Sequence, residues 1–213
     1  MPEKAATETS QYEFQAEVRQ LLDILSHSLY TNRDVFIREL ISNAADALDK
    51  ARFKNVKGET LADADLDFAI SIKLDEKEKT FTLSDTGVGM TKQELIDNIG
   101  TIARSGTSEF VKQLAEDEEK VSLIGRFGVG FYSVFMAGDS VQVMTKSADA
   151  DEPSWVWTSD GTGSFEIAEG PADAKRGTSI LVKLRENASE FSEKWKVQSI
   201  IEKKSNMPVL STI

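Results

Sequence analysis

Three groups of residues carry types and spacings that could do chemistry. In the stretch DVFIRELISNAADALDKARF, Asp34 to Phe53, the polar residues Glu39, Asn43, Asp46 and Lys50 recur at spacings of four, three and four. On a helix these share one face. Glu39 and Asn43 stand among Phe36, Ile37, Leu40, Ile41, Ala44 and Ala45, and polar groups beside apolar neighbours are costly without partners. A solvated edge carrying a Glu–Asn pair accounts for this pattern; so does a face turned into a ligand site. Asp85 alternates in phase with Phe81 and Leu83, so it points to the side they bury. Asp commonly opens turns, but an inward carboxylate needs a donor, which a ligand amino group supplies. Glycines 125, 128 and 130 are flanked by Ile124, Phe127, Val129 and Phe131. Ordinary turns use glycine too, yet here backbone can come close to something, and successive N–H groups before a helix form an anion nest.

The elements that must position these groups are legible. Residues 34–53 contain no Gly or Pro and are rich in good helix formers, with Asn32 or Thr31 as cap and Asp34 in the first turn. Apolar residues at 14, 18, 21, 22, 25 and 29 predict an amphipathic helix before it. The period then changes to two: Phe68, Ile70, Ile72 and Leu74 predict one strand, and Phe81 and Leu83 open a second that ends at DTGVGM. Thr91 and Glu94 form a capping box for a short helix from Lys92 to Ile99, stopped by Gly100. A helix is expected over Glu109 to Glu116, and the last glycine cluster leads into an apolar helix through Phe135 and Met136. Strands are expected at Val141–Thr145, Trp155–Thr158, Gly163–Ile167 and Thr178–Leu184, and a last helix at 189–204. Such mixed runs predict an α+β fold, a two-layer sandwich whose largely antiparallel mixed sheet carries helices on one face.

Composition excludes several functions. Thirty-six acidic against 25 basic residues leave a net charge of −11, which argues against nucleic-acid binding. The absence of Cys excludes disulfides and thiolate metal sites. His27 is the only histidine, so multi-His metal sites and His-based triads are excluded; a packing or capping role suits it. No GxxxxGK[ST] P-loop occurs, and Ser133 stands where a dinucleotide-binding fingerprint needs its third glycine. No run has membrane-spanning length, and the first residues lack the apolar core of a signal peptide. A cytoplasmic protein without membrane contact is expected. Residues 1–13 are expected to be a flexible segment and 14–213 a single domain.

Five segments in order then carry a resemblance: Glu39 to Lys50, DTGVGM (85–90), GTIARSGT (100–107), GRFGVGFYS (125–133) and RGT (176–178). Together they resemble the GHKL ATPases of gyrase, heat-shock chaperone, histidine kinase and mismatch-repair protein, built on the Bergerat fold. The first, second and fourth look specifically like the N-terminal ATP-binding domain of the heat-shock protein 90 family, in its bacterial HtpG branch. The likeness runs from about Phe14 to about Ser205.

What the resemblance implies is specific. The cofactors are ATP or ADP with Mg²⁺. Glu39 is the general base for the attacking water, and Asn43 the metal ligand one helical turn away. Asp85 accepts from the adenine amino group, assisted by Thr178; Gly89 and Met90 line the base pocket, and Asp46, Lys50 and Asn98 border the nucleotide. Residues 100–130 form a lid. Arg104 lies near the phosphates, where the family usually has Lys, and Gly128, Val129, Gly130 and Phe131 offer backbone N–H groups to them. Arg126 stands where Gln is usual and adds a charge beside the phosphate loop. The family's middle and C-terminal domains are absent from this chain, so an isolated domain is expected: monomeric, able to bind nucleotide, nearly inactive in turnover. In the full-length protein the resemblance implies a homodimeric stress-response chaperone whose ATP-driven lid closure and N-terminal association act on client proteins, with co-chaperones as possible partners. The alternative is another GHKL ATPase, a histidine kinase or a DNA-repair or topoisomerase domain.

Overall fold

The computed structural model of the protein describes residues 9–14, 16, 18–19, 22–23, 33–100, 130–149 and 151–203. Its frame is a seven-stranded sheet in the order β1-β6-β5-β4-β7-β3-β2, with every pair antiparallel. The strands are β1 (Thr9–Glu13), β2 (Ile70–Asp75), β3 (Thr80–Asp85), β4 (Gly138–Lys146), β5 (Ser154–Ser159), β6 (Ser164–Glu169) and β7 (Gly177–Leu184). Hairpins join β2 to β3, β4 to β5 and β5 to β6, and β7 inserts between β3 and β4. This is the α+β arrangement that the mixed runs predict.

Alternation decides which face of the sheet is buried. Ile70, Ile72, Phe81, Leu83, Val141, Val143, Trp157, Phe165, Ile167, Ile180 and Val182 all turn inward and are nearly inaccessible. Helix α1 (Val35–Val56) lies on that face and buries Val35, Phe36, Ile37, Leu40, Ile41, Ala44, Leu48 and Ala51. Phe36 anchors it edge-on to Phe81 and Phe191, with ring centroids 5.3 and 5.2 Å apart. Such aromatic pairs add about 0.5–1.5 kcal/mol each beyond their burial. Residues 16, 18, 19, 22 and 23 are helical, and Phe14, Val18 and Leu22 join the same core.

Several local expectations need correction. Asp34 is the N-cap of α1 and not a first-turn residue, and its side chain caps no amide; its carboxylate lies 3.5 Å from the Arg38 guanidinium instead. Asn32, Thr31, His27 and the helix expected at 109–116 lie outside the described residues. Thr9–Glu13, expected within the flexible 1–13 segment, form edge strand β1 against β6. Short polar strands are hard to read locally, because pairing and not propensity makes them. The helix expected over Lys92–Ile99 is α2 (Lys92–Leu95) followed by a π turn over Ile96–Gly100. The Thr91–Glu94 capping box is present in both directions. The segment through Phe135 and Met136 is a 3-10 helix, Gly130–Met136. The last helix divides into a 3-10 turn, Glu186–Ser192, and α3 (Lys194–Glu202).

Candidate functional site

The site begins where β3 ends. Asp85 is 8% exposed, on the inner side that its alternation with Phe81 and Leu83 predicts. Register then supplies its neighbours. Asp85 stands opposite Thr178 on β7, and Thr178 stands opposite Thr145 on β4. Directly opposed residues share a face, so three strands place Asp85, Thr178 and Thr145 in one row. The Thr145 hydroxyl donates to the Gly177 carbonyl at 3.1 Å, lies 3.1 Å from the Thr178 hydroxyl and accepts the Met90 N–H at 3.0 Å. It ties the strand row to the loop that follows β3.

That loop, residues 86–90, is folded by close approach. Gly87 N–H donates to Asp85 Oδ1 at 2.8 Å, and Val88 N–H donates to the Ala47 carbonyl of α1 at 3.1 Å. Gly89 has φ +60°, and a Cβ there would lie 1.9 Å from the Lys146 carbonyl oxygen, so only glycine fits. Burial pushes the Asp85 carboxyl up to about 6, against the N–H groups of Gly87 and Thr178 and the charge of Arg176. A buried carboxylate with so few donors is under-solvated, and a ligand amino group at its remaining lone pairs would relieve that cost.

The other end of the site lies on α1. Glu39 is half-buried, and burial raises its pKa against the opposing charge of Arg38. A Cβ on Gly130 would lie 2.1 Å from Glu39 Oε2, so the absent side chain is what admits this carboxylate against the backbone of the 3-10 turn. A half-buried carboxyl whose pKa is raised is the kind of group that can act as a general base. Asn43, Asp46 and Lys50 are exposed on successive turns of α1. The apolar neighbours of Asn43 therefore turn away from it, into the core. Asn98 is exposed on the π turn. Phe131 is half-buried and packs edge-on against Tyr132 and Trp157. Met90 is half-buried. Arg104, Arg126, Gly128 and Val129, and residues 101–129 of the expected lid, lie outside the described residues. Among the described residues no three His, Cys, Asp or Glu side chains gather as a metal cage. Among the described residues no helix is long and apolar enough to cross a membrane.

Two residues of this region have no signal of their own in sequence. Thr145 reads as an ordinary strand threonine, although it is 1% exposed and makes three polar contacts. Arg176 reads only as the first residue of RGT, although it is buried beneath the 86–90 loop.

Comparison with known proteins identifies the family. The chain is 53% identical over 207 residues to the chaperone protein HtpG of Oleidesulfovibrio alaskensis, covering 97% of this chain and 32% of that protein. It is 50% identical over 206 residues to HtpG of Nitratidesulfovibrio vulgaris, covering 94% and 32%. It is 47% identical over 194 residues to the mitochondrial TNF receptor-associated protein 1 homolog of Dictyostelium discoideum, covering 91% and 27%. The chain thus spans about a third of the length of the curated relatives it matches, and the similarity is to the N-terminal regions of the HtpG chaperones. These relatives favour the chaperones over the kinases within the wider group. A family model matches residues 30–163, a span that holds both Glu39 and Asp85, and the chain belongs to the histidine kinase-, DNA gyrase B- and HSP90-like ATPases.

Proposed function

We propose that this chain is the ATP-binding, weakly ATP-hydrolysing N-terminal domain of an HtpG-type molecular chaperone. The observation that carries the reading is Asp85, a buried carboxylate in a row with two threonine hydroxyls, at the floor of a glycine loop. In this reading Asp85 accepts from the adenine amino group and Thr178 assists. Gly89 and Met90 line the base pocket, and Asp46, Lys50 and Asn98 form its rim. Gly128, Val129, Gly130 and Phe131 present N–H groups to the phosphates, with Arg104 nearby. Asn43 is the protein ligand for Mg²⁺, which when bound would neutralise phosphate charge. Glu39 orients and deprotonates water. Positioning and charge neutralisation are what phosphoryl transfer chiefly requires.

The assignment to a chaperone rests on the relatives' names, and the client proteins, the dimer of the longer protein and a cytoplasmic location follow from the same likeness. Lid closure over residues 100–130 belongs to this proposal. Titration calorimetry with Mg-ADP and Mg-ATP tests it directly: saturable binding is expected, and no detectable heat from a folded sample refutes it.

A further inference from the structure

We infer that Arg176 is the positioning residue of the base pocket, acting on Asp85 through the Thr86–Gly87 peptide and on α1 through the Gly87–Val88 peptide. Arg176 is 1% exposed. Its Nη1 donates to the Thr86 carbonyl and, at 3.0 Å, to the Gly87 carbonyl; its Nε donates to the Ala62 carbonyl at 2.9 Å. Its own backbone N–H donates to Asp63 Oδ2 at 3.0 Å, and its guanidinium stacks 5.3 Å from the Phe68 ring centroid. One side chain therefore joins the loop after α1, the loop after β3 and the start of β7.

The two gripped carbonyls explain what this joining does. The Thr86 carbonyl and the Gly87 N–H belong to one peptide unit, and that N–H donates to Asp85 Oδ1 at 2.8 Å. The Gly87 carbonyl and the Val88 N–H belong to the next, and that N–H donates to the Ala47 carbonyl of α1. A cation on the carbonyl end of a peptide strengthens the donor at its N–H end, because bonds in a chain polarise one another. Arg176 thus aims and strengthens the donor that holds Asp85, and through the next unit fixes the loop to the helix that carries Glu39 and Asn43. The guanidinium's Nε and Nη1 donate to carbonyls, and its buried Nη2 has no hydrogen-bond partner; Asp63 takes the backbone N–H and Lys175 instead. The charge is thus held by dipoles, and it acts on Asp85 directly as well. Asp63 acts on Arg176 in turn, while Asp46 and Lys50 of α1 stand exposed at the rim. A Lys ammonium cannot reproduce the fork that reaches Ala62 on one side and Gly87 on the other.

This inference rests on the nucleotide reading, and one experiment separates the two. ADP affinity of wild type, R176K and R176M is measured by calorimetry from pH 5 to 8, alongside thermal melts. Wild-type affinity should fall as the pH drops through about 6, where Asp85 takes up its proton. R176M should move that midpoint upward and weaken binding about tenfold or more near pH 6.5. R176K should keep the midpoint and lose about three- to tenfold in affinity at all pH values. A support that acts only through stability would lower the melting temperature and leave the midpoint in place. If R176M does not fold, R176K decides: wild-type affinity in R176K overturns the inference, as does an unmoved midpoint in folded R176M. Absence of ADP binding by folded wild type overturns the nucleotide reading instead.

Discussion

Replacing Asp85 by Asn should move stability and nucleotide affinity in opposite directions. The two side chains have nearly the same shape, and Asn keeps an acceptor for the Gly87 N–H. What disappears is a buried charge. Burial raises the carboxyl from 3.8 to about 6, and at 1.36 kcal/mol per pKa unit this amounts to roughly 3 kcal/mol. The sign follows from the direction. A carboxyl with a raised folded-state pKa contributes stability that is fully present below 3.8 and is lost as pH rises through about 6. Nucleotide-free D85N should therefore match wild type near pH 4 and become more stable above pH 6, by roughly 3 kcal/mol at most. Urea unfolding at several pH values reads the difference, and other titrations cancel between the two proteins. Binding moves the other way. A charge-assisted hydrogen bond contributes about 1.5–3 kcal/mol, so ADP affinity should fall about ten- to a hundredfold in calorimetry at pH 7.5. A D85N protein that is less stable at every pH, or that binds ADP like wild type, refutes the reasoning.

Glu39→Ala should preserve nucleotide binding and lower ATP turnover of the longer protein about 10²–10⁴-fold, measured in a steady-state phosphate-release assay; unchanged turnover removes Glu39 from its role. Thr145→Val keeps the shape but leaves the Met90 N–H without its acceptor, which should cost about 1–3 kcal/mol in urea unfolding and also weaken ADP binding. Stability and affinity equal to wild type would show that the threonine row is incidental. Tyr132→Phe removes the buried bond from the Tyr132 hydroxyl to the Ile99 carbonyl, 2.6 Å long, which joins the two ends of the segment expected to be the lid. It should cost about 1–3 kcal/mol in the same assay, and a neutral result would show that water or another donor replaces the hydroxyl.

The sequence alone settled what depends on local geometry. The helix expected over residues 34–53 follows from an uninterrupted apolar stripe, and the structure carries it on to Val56. The inward direction of Asp85 follows from a period of two shared with Phe81 and Leu83. The Thr91 capping box and the one-turn spacing of Glu39 and Asn43 are equally local. Resemblance across five segments extended this to a family, because those segments keep their order and distances.

Tertiary structure decided the rest. No local pattern says that β7 pairs with β3 on one side and β4 on the other, yet only that pairing sets Thr178 and Thr145 beside Asp85. Nor does sequence spacing reveal that Gly130 makes room for Glu39, some ninety residues away along the chain. β1 likewise has no strand pattern of its own and exists through its ladder with β6. Arg176 shows the limit most plainly. In sequence it is only the first residue of RGT, while its partners, Ala62, Thr86 and Gly87, are brought to it by the fold. Helices and strand faces arise from contacts a few residues apart and are written in the order of residues. A buried charge draws its partners from distant segments, so its role is fixed only when the chain has closed around it.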